Sequence, residues 1–177
     1  MNKLFCLPIA ALLAAAPPVK AASSCDPVIA ASMKVLQVPS HLYMAQTAVF
    51  TGGKAKNAES IYLNGVNYTK LDHGWLKSPV STKELAEMRK ESDQNIGTCS
   101  VVRDEAVGGE PATLYKVHRQ TPDDTVDTQI WVSKLRGLPL KQIDDMDVGG
   151  ARGKSHTEVR YEYSNVTAPA VTESTRK

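Results

Sequence analysis

Cysteines, histidines and clustered aspartates are the residues in this sequence that could do chemistry. The four histidines lie far apart, so a metal site or a general base could assemble only through the fold. The two aspartate clusters lack the spacing of a calcium-binding loop, and hairpin turns explain them. We therefore predict no catalytic residue, no metal site and no cofactor. The residues concerned are His41, His73, His118 and His156, then Asp123, Asp124 and Asp127, and finally Asp144, Asp145 and Asp147.

Enzyme signatures give no support for a reaction. The chain has no G-x-S-x-G, no H-E-x-x-H and no C-x-x-C motif. An enzyme built around His118 or His156 is therefore the weakest of three hypotheses for this chain, behind a binding protein and an interaction domain.

The first 21 residues are typical of a signal peptide. A basic start is followed by an apolar run over 4–16, and small residues precede a predicted cleavage after Ala21 or Ala22. The sequence indicates a bacterial signal, so we expect export to the periplasm of a Gram-negative bacterium. The apolar run is too short for a stable membrane span, and no transmembrane segment is expected in the mature chain.

Cleavage changes both the cysteine count and the charge. Cys6 leaves, and the remaining Cys25 and Cys99 are expected to form one disulfide, which by the chain-entropy model contributes on the order of 4 kcal/mol. Lipidation of Cys25 and a pair of free thiols are the alternatives. The formal charge of +2 falls to zero when Lys3 and Lys20 leave. Nucleic acid is therefore not an expected partner.

Two helices are predicted. The first begins at Asp26, which can cap it, has Pro27 in its first turn, and runs for about 12 residues. The second begins with a capping box, Ser81 and Glu84, and turns Leu85 and Met88 inward.

The rest of the mature chain is predicted to form strands. Asn64-Gly65 is a strong hairpin signal, and the short connections favour antiparallel pairing. We predict one α+β domain over 22–169, in which a curved antiparallel half-barrel of about seven or eight strands has two helices across its concave face. A flexible tail follows over 170–177. The predicted strands are 42–50, 59–63, 66–71, 101–106, 112–119, 125–133, 138–145 and 156–166, and a second turn at 72–74 leads into Trp75-Leu76.

Aromatic residues lie almost entirely on these strands. If the helices cover the sheet loosely, such side chains would line an apolar ligand cavity, and if they cover it tightly, the same side chains form a core. The candidate cavity residues are Tyr43, Tyr62, Tyr68, Trp75, Tyr115, Trp131, Tyr161 and Tyr163.

Three short motifs resemble a known family. The segment IYLNGVNY at 61–68 with Gly74-Trp75, the segment IWVSK at 130–134 with GLPLK at 137–141, and RYEYSNV at 160–166 are similar to the strands of LolA/LolB-like proteins and their LppX- and RseB-like relatives. The resemblance implies a half-barrel closed by helices, a periplasmic location and a cavity for acyl chains or lipidated peptides, with no catalytic residue. A lipid or lipidated protein is thus the expected partner. The alternative is an envelope interaction domain with a filled core, in peripheral contact with other envelope proteins.

Overall fold

The computed structural model describes residues 25–49, 52–71, 74–150 and 153–171, so the predicted signal peptide and His73 lie outside the described residues. Nine antiparallel strands form one curved, unclosed sheet in the order β4-β3-β2-β1-β9-β8-β7-β6-β5. The predicted α+β half-barrel is confirmed, with a ninth strand because residues 74–77 pair with β3. The elements are α1 Asp26–Lys34, β1 Ser40–Ala48, β2 Lys56–Leu63, β3 Val66–Leu71, β4 Gly74–Lys77, α2 Thr82–Asp93, β5 Thr98–Val107, β6 Glu110–Gln120, β7 Thr125–Ser133, β8 Pro139–Asp147 and β9 Lys154–Glu162.

Strand alternation divides the sheet into two faces, because successive side chains point to opposite sides. We call the side that both helices contact the covered face; Leu42, Val117 and Ile130 lie on it. We call the opposite side the open face, which carries their strand neighbours, such as His118 and Gln129. Two functional surfaces can therefore lie back to back on the same strands.

Helix α1 is fixed firmly to the covered face. Its buried residues Val28 and Ala31 pack against Val117 and Ile130. A 3₁₀ turn, Val35–Gln37, continues the helix, so the predicted length of about 12 residues is confirmed. The predicted Asp26 cap is wrong: the helix begins at that residue, and its N-cap, Cys25, makes no side-chain cap hydrogen bond.

Helix α2 has a complete N-terminal capping box but buries little of its surface. The predicted capping box is present: Ser81 Oγ accepts from the Glu84 backbone N–H at 3.2 Å, and the Glu84 carboxylate accepts from the Ser81 N–H at 2.8 Å. Thr82 is its only residue in the buried class, and Leu85 is half-buried. The prediction that Met88 turns inward is wrong, since that residue is 50% exposed.

The Asn64-Gly65 turn and the disulfide follow the sequence closely. Asn64 and Gly65 have φ values of 51° and 78°, the left-handed values that a two-residue hairpin turn requires. The predicted disulfide between Cys25 and Cys99 is present, with the two Cα atoms 5.1 Å apart. It joins the start of α1 to the edge strand β5. At the other edge, Val171 makes a parallel bridge to Trp75.

Candidate functional site

A small cavity lies on the covered face, between the two helices and strands β6 to β8. Its volume is about 140 Å³. Both helices contribute walls: Val28 and Ser32 come from α1, and Arg89 and Asp93 come from α2. Its apolar lining is Val28, Ile96, Val117, Val126 and Ile130, and its polar lining includes Ser32, Arg89, Asp93, Arg119, Thr128 and Gln142.

The polar part of this cavity lies where the helices meet. Ser32 Oγ of α1 is 3.5 Å from Asp93 Oδ2 of α2. Partial burial raises the pKa of Asp93, although Arg89 and Ser32 oppose this. The single side-chain hydrogen bond between the helices here is thus long and involves a carboxyl group that folding tends to protonate.

The eight aromatic residues predicted to line a cavity do not share one face. Half of them pack on the covered face against α1, α2 or the 3₁₀ turn, whereas the others lie on the open face by their strand register. The covered-face residues are Tyr62, Tyr115, Tyr161 and Tyr163. The open-face residues are Tyr43, Tyr68, Trp75 and Trp131.

The covered-face tyrosines at the centre of the sheet are held in place by contacts. Tyr161 and Tyr163 stack with centroids 6.5 Å apart. The Tyr161 hydroxyl donates to Gln142 Oε1 at 3.1 Å, and Gln142 in turn donates to Asp144. Burial raises the pKa of both tyrosines, so they remain neutral donors.

The open-face aromatic residues contact charged side chains instead. The Lys141 ammonium lies 5.6 Å from the Trp131 ring, and the Trp131 indole N–H donates to Glu105. The Arg160 guanidinium lies 4.3 Å from the Tyr43 ring. Tyr43 is therefore part of a charged surface, whereas the Trp131 ring is only 8% exposed and also packs in a separate buried apolar cluster with Leu114. Neither ring lines the cavity between the helices.

A Glu–His–Tyr chain on the open face resembles a general-base arrangement. His41 Nε2 is 2.9 Å from Glu59, and His41 Nδ1 is 3.1 Å from the Tyr43 hydroxyl, which also donates to Glu162 at 3.2 Å. Although partial burial acts to raise it, hydrogen bonds from Lys70 and His41 hold the pKa of Glu59 below its ordinary value. Burial, then the charge of Glu162, raises the pKa of Tyr43, so its hydroxyl is held in the neutral form.

The remaining two described histidines form side-chain hydrogen bonds with aspartates that were predicted to lie in turns. His118 Nδ1 lies 2.7 Å from Asp127 Oδ1, and His156 Nδ1 lies 2.7 Å from Asp145 Oδ1. The turn interpretation is right for Asp123 and Asp124, which lie between β6 and β7. It is wrong for Asp127, Asp144, Asp145 and Asp147, which lie within strands. Asp127, Asp144 and Asp145 already fell inside the predicted strands 125–133 and 138–145, and this was the signal that could have placed them.

Two further findings concern the described residues as a whole. No group of three or more His, Cys, Asp or Glu side chains among them is arranged to hold a metal ion. No helix in the described ranges has the length and apolar character to span a membrane.

Comparison with known proteins gives structural matches only. No protein-family model matches the chain, and no curated protein matches it significantly. The lipoprotein LppX of Mycobacterium tuberculosis is 12% identical with a TM-score of 0.43, over 80% of this chain and 98% of that one. A LolA superfamily protein of Nitrosomonas europaea is 9% identical with a TM-score of 0.33, over 86% and 95%. The superfamily that the sequence motifs resemble is thus among the structural matches.

A third match is a partial one. MucB, in its complex with MucA(peri), is 13% identical with a TM-score of 0.43, over 86% of this chain and 58% of MucB. The chain therefore spans less than two thirds of MucB. At these identities the likenesses concern the fold, and the functional argument below uses the chain's own residues.

Proposed function

We propose that this protein is a periplasmic, non-catalytic binding protein or carrier for a hydrophobic ligand, an acyl chain or the lipid anchor of a lipoprotein. The ligand enters between the helices and the covered face. The signal-peptide pattern supports export, and the motif resemblance supports the ligand class.

The cavity between the helices is the observation that carries this proposal. Val28, Val117 and Ile130 give it an apolar wall that is continuous with the buried core. A cavity of about 150 Å³ with apolar walls is large enough to hold one benzene molecule. A cavity of about 140 Å³ therefore accepts one end of an acyl chain in the closed state.

A whole acyl chain needs more room than this. Each buried methylene contributes about 0.8 kcal/mol, so micromolar affinity requires burial of about ten methylenes. Drug-sized ligands occupy pockets of about 300–1,000 Å³. We infer that α2 moves outward when the ligand binds, exposing more of the covered face around Tyr62 and Tyr161.

The unequal anchoring of the helices supports this movement. Helix α1 is joined to β5 through Cys25 and buries Val28 and Ala31. Helix α2 buries only Thr82 and leaves Met88 half exposed. Elements with few buried apolar contacts open at the lowest free-energy cost, so α2 is the element expected to move.

Native mass spectrometry tests the proposal. The chain from residue 22 is purified with its disulfide intact, and palmitate or an acylated peptide is added. We expect a 1:1 complex. In the variant Val126→Trp a large ring fills the cavity, and the complex should be lost. The control Val101→Trp adds the same ring at a site that is 63% exposed and should bind like the wild type. An unchanged apo mass for a folded wild-type chain at saturating ligand would refute the proposal.

One observation favours the alternative of an interaction domain. The covered face is nearly filled, whereas the open face bears two broader depressions of about 830 and 500 Å³ that share Asp127 and Asp145. Under this alternative the partner binds the open face, and the wild type and both tryptophan variants would each show only their own apo mass after palmitate is added.

A further inference from the structure

Four residues on the open face form one continuous row across four neighbouring strands. The register pairs His118 of β6 with Asp127 of β7 and pairs Asp127 with Asp145 of β8. It also pairs Asp145 with His156 of β9. All four side chains are about half exposed or more, with 51%, 66%, 58% and 48% of their surface accessible. The order His-Asp-Asp-His reads the same in both directions.

The hydrogen bonds in this row prepare each imidazole to bind a metal. Each histidine uses Nδ1 to contact an aspartate at 2.7 Å. A neutral imidazole that donates from Nδ1 keeps its lone pair on Nε2, and a carboxylate partner fixes the orientation of the ring. His118 and His156 therefore each offer one oriented nitrogen ligand to the solvent.

A single chain cannot bring these two nitrogens to one metal ion. Three strand spacings of about 4.8 Å separate the two histidine backbones by about 14 Å. A metal ion bound by two imidazoles needs both nitrogens within about 2 Å of it. The absence of a three-ligand cluster among the described residues agrees with this estimate. Each His–Asp pair is thus an incomplete site that needs a ligand from another molecule.

We propose that the row binds a divalent transition ion such as Zn²⁺ between two copies of this chain. A two-fold axis along the strands, between β7 and β8, places His118 of one copy against His156 of the other at both ends of the row. Each ion then takes Nε2 from both histidines, and water completes its coordination. Imidazole nitrogen suits Zn²⁺, Ni²⁺ and Cu²⁺.

Charge supports this arrangement. Asp127 and Asp145 are opposite each other on adjacent strands, and facing like charges destabilise a sheet. In the dimer, two divalent ions neutralise the four carboxylates of the two copies. The next row has Lys116 on β6 and Glu158 on β9, and the same axis brings these opposite charges of the two copies together.

Light scattering after size-exclusion chromatography tests the proposal, using the mature chain with ZnCl₂ or with EDTA. We expect a doubled mass with Zn²⁺ and a monomer with EDTA. His118→Ala and His156→Ala should each remain monomeric with Zn²⁺, since each removes one ligand from both sites. The control His41→Gln should dimerise like the wild type, because both ring nitrogens of His41 are already hydrogen-bonded.

Mixing the two alanine variants tests the pairing itself. An equimolar mixture restores one complete site, formed by His118 of one chain and His156 of the other, so a Zn²⁺-dependent heterodimer should appear. A wild-type monomer in Zn²⁺ overturns the proposal, whether or not the ion binds to it. A mixture that stays monomeric overturns the assigned axis. Binding of palmitate is read separately, so failure here leaves the hydrophobic-ligand proposal intact.

Discussion

The two faces of one sheet have opposite chemistry although they are made from the same strands. On β7, Ile130 is 3% exposed and packs beneath α1, whereas its neighbour Gln129 points to the open face. The covered face is mainly apolar, with polar and charged groups gathered at the cavity, and the open face carries cross-strand charge pairs beside the apolar cluster around Leu114 and Trp131. The difference shows how a period of two residues lets one sheet have two independent binding surfaces.

The disulfide is expected to have the largest effect, because it anchors the helix that fixes the covered face. The double variant Cys25→Ala/Cys99→Ala should lower the free energy of unfolding by about 4 kcal/mol, since the bond closes a long loop. Urea denaturation at neutral pH measures this change. Wild-type protein treated with a reductant should lose the same amount, and a loss below about 1 kcal/mol would contradict the role of the bond.

Adjacent substitutions on β7 compare the two faces directly. Ile130→Ala should lower the free energy of unfolding by about 3 kcal/mol, because it leaves a cavity in a filled region. Gln129→Ala, one residue away, should change it by about 0.5 kcal/mol or less. Thermal and urea unfolding check both values. Equal losses at the two positions would contradict the assigned register.

Substitutions in the capping box test how firmly helix α2 is held on the covered face. Ser81→Ala removes the acceptor for the Glu84 N–H and should cost about 1 kcal/mol. Ser81→Asp, which can cap as well, should restore stability. Hydrogen exchange should show faster opening of α2 in Ser81→Ala with little change in α1. Uniform acceleration in both helices would indicate that they open together.

Protonation of carboxyl groups is expected to change stability least, and its effect has opposite signs for Glu59 and Asp93. The pKa of Glu59 on the open face is lowered, so its contribution to stability is present above the ordinary value of 4.5 and is lost as the pH falls through the lower folded value. The pKa of Asp93 between the helices is raised, so protonation relieves a cost as the pH falls through that raised value. At pH 7 we expect Glu59→Gln to destabilise and Asp93→Asn to be neutral or stabilising. Carboxyl NMR titration provides the check, and two shifts of the same sign would contradict it.

Local features were predictable from the sequence, whereas the choice of face was not. Neighbouring residues alone predict the Ser81–Glu84 capping box and the Asn64-Gly65 turn. The Cys25–Cys99 disulfide follows from the number of cysteines that remain after the signal peptide is removed. The positions of Tyr43 and Trp131 depend on register and on which face the helices cover, which short motifs do not encode. The row from His118 to His156 depends on the alignment of four strands, so no local pattern could reveal it.

A single NMR titration tests most directly the claim that the two faces bind different ligands. Methyl and imidazole signals are recorded on the same labelled sample as palmitate, and separately ZnCl₂, is added. The account predicts that palmitate shifts the methyls of Val117, Val126 and Ile130 and leaves the imidazoles of His118 and His156 unchanged, whereas Zn²⁺ does the reverse. Unchanged covered-face methyls at saturating palmitate would contradict it.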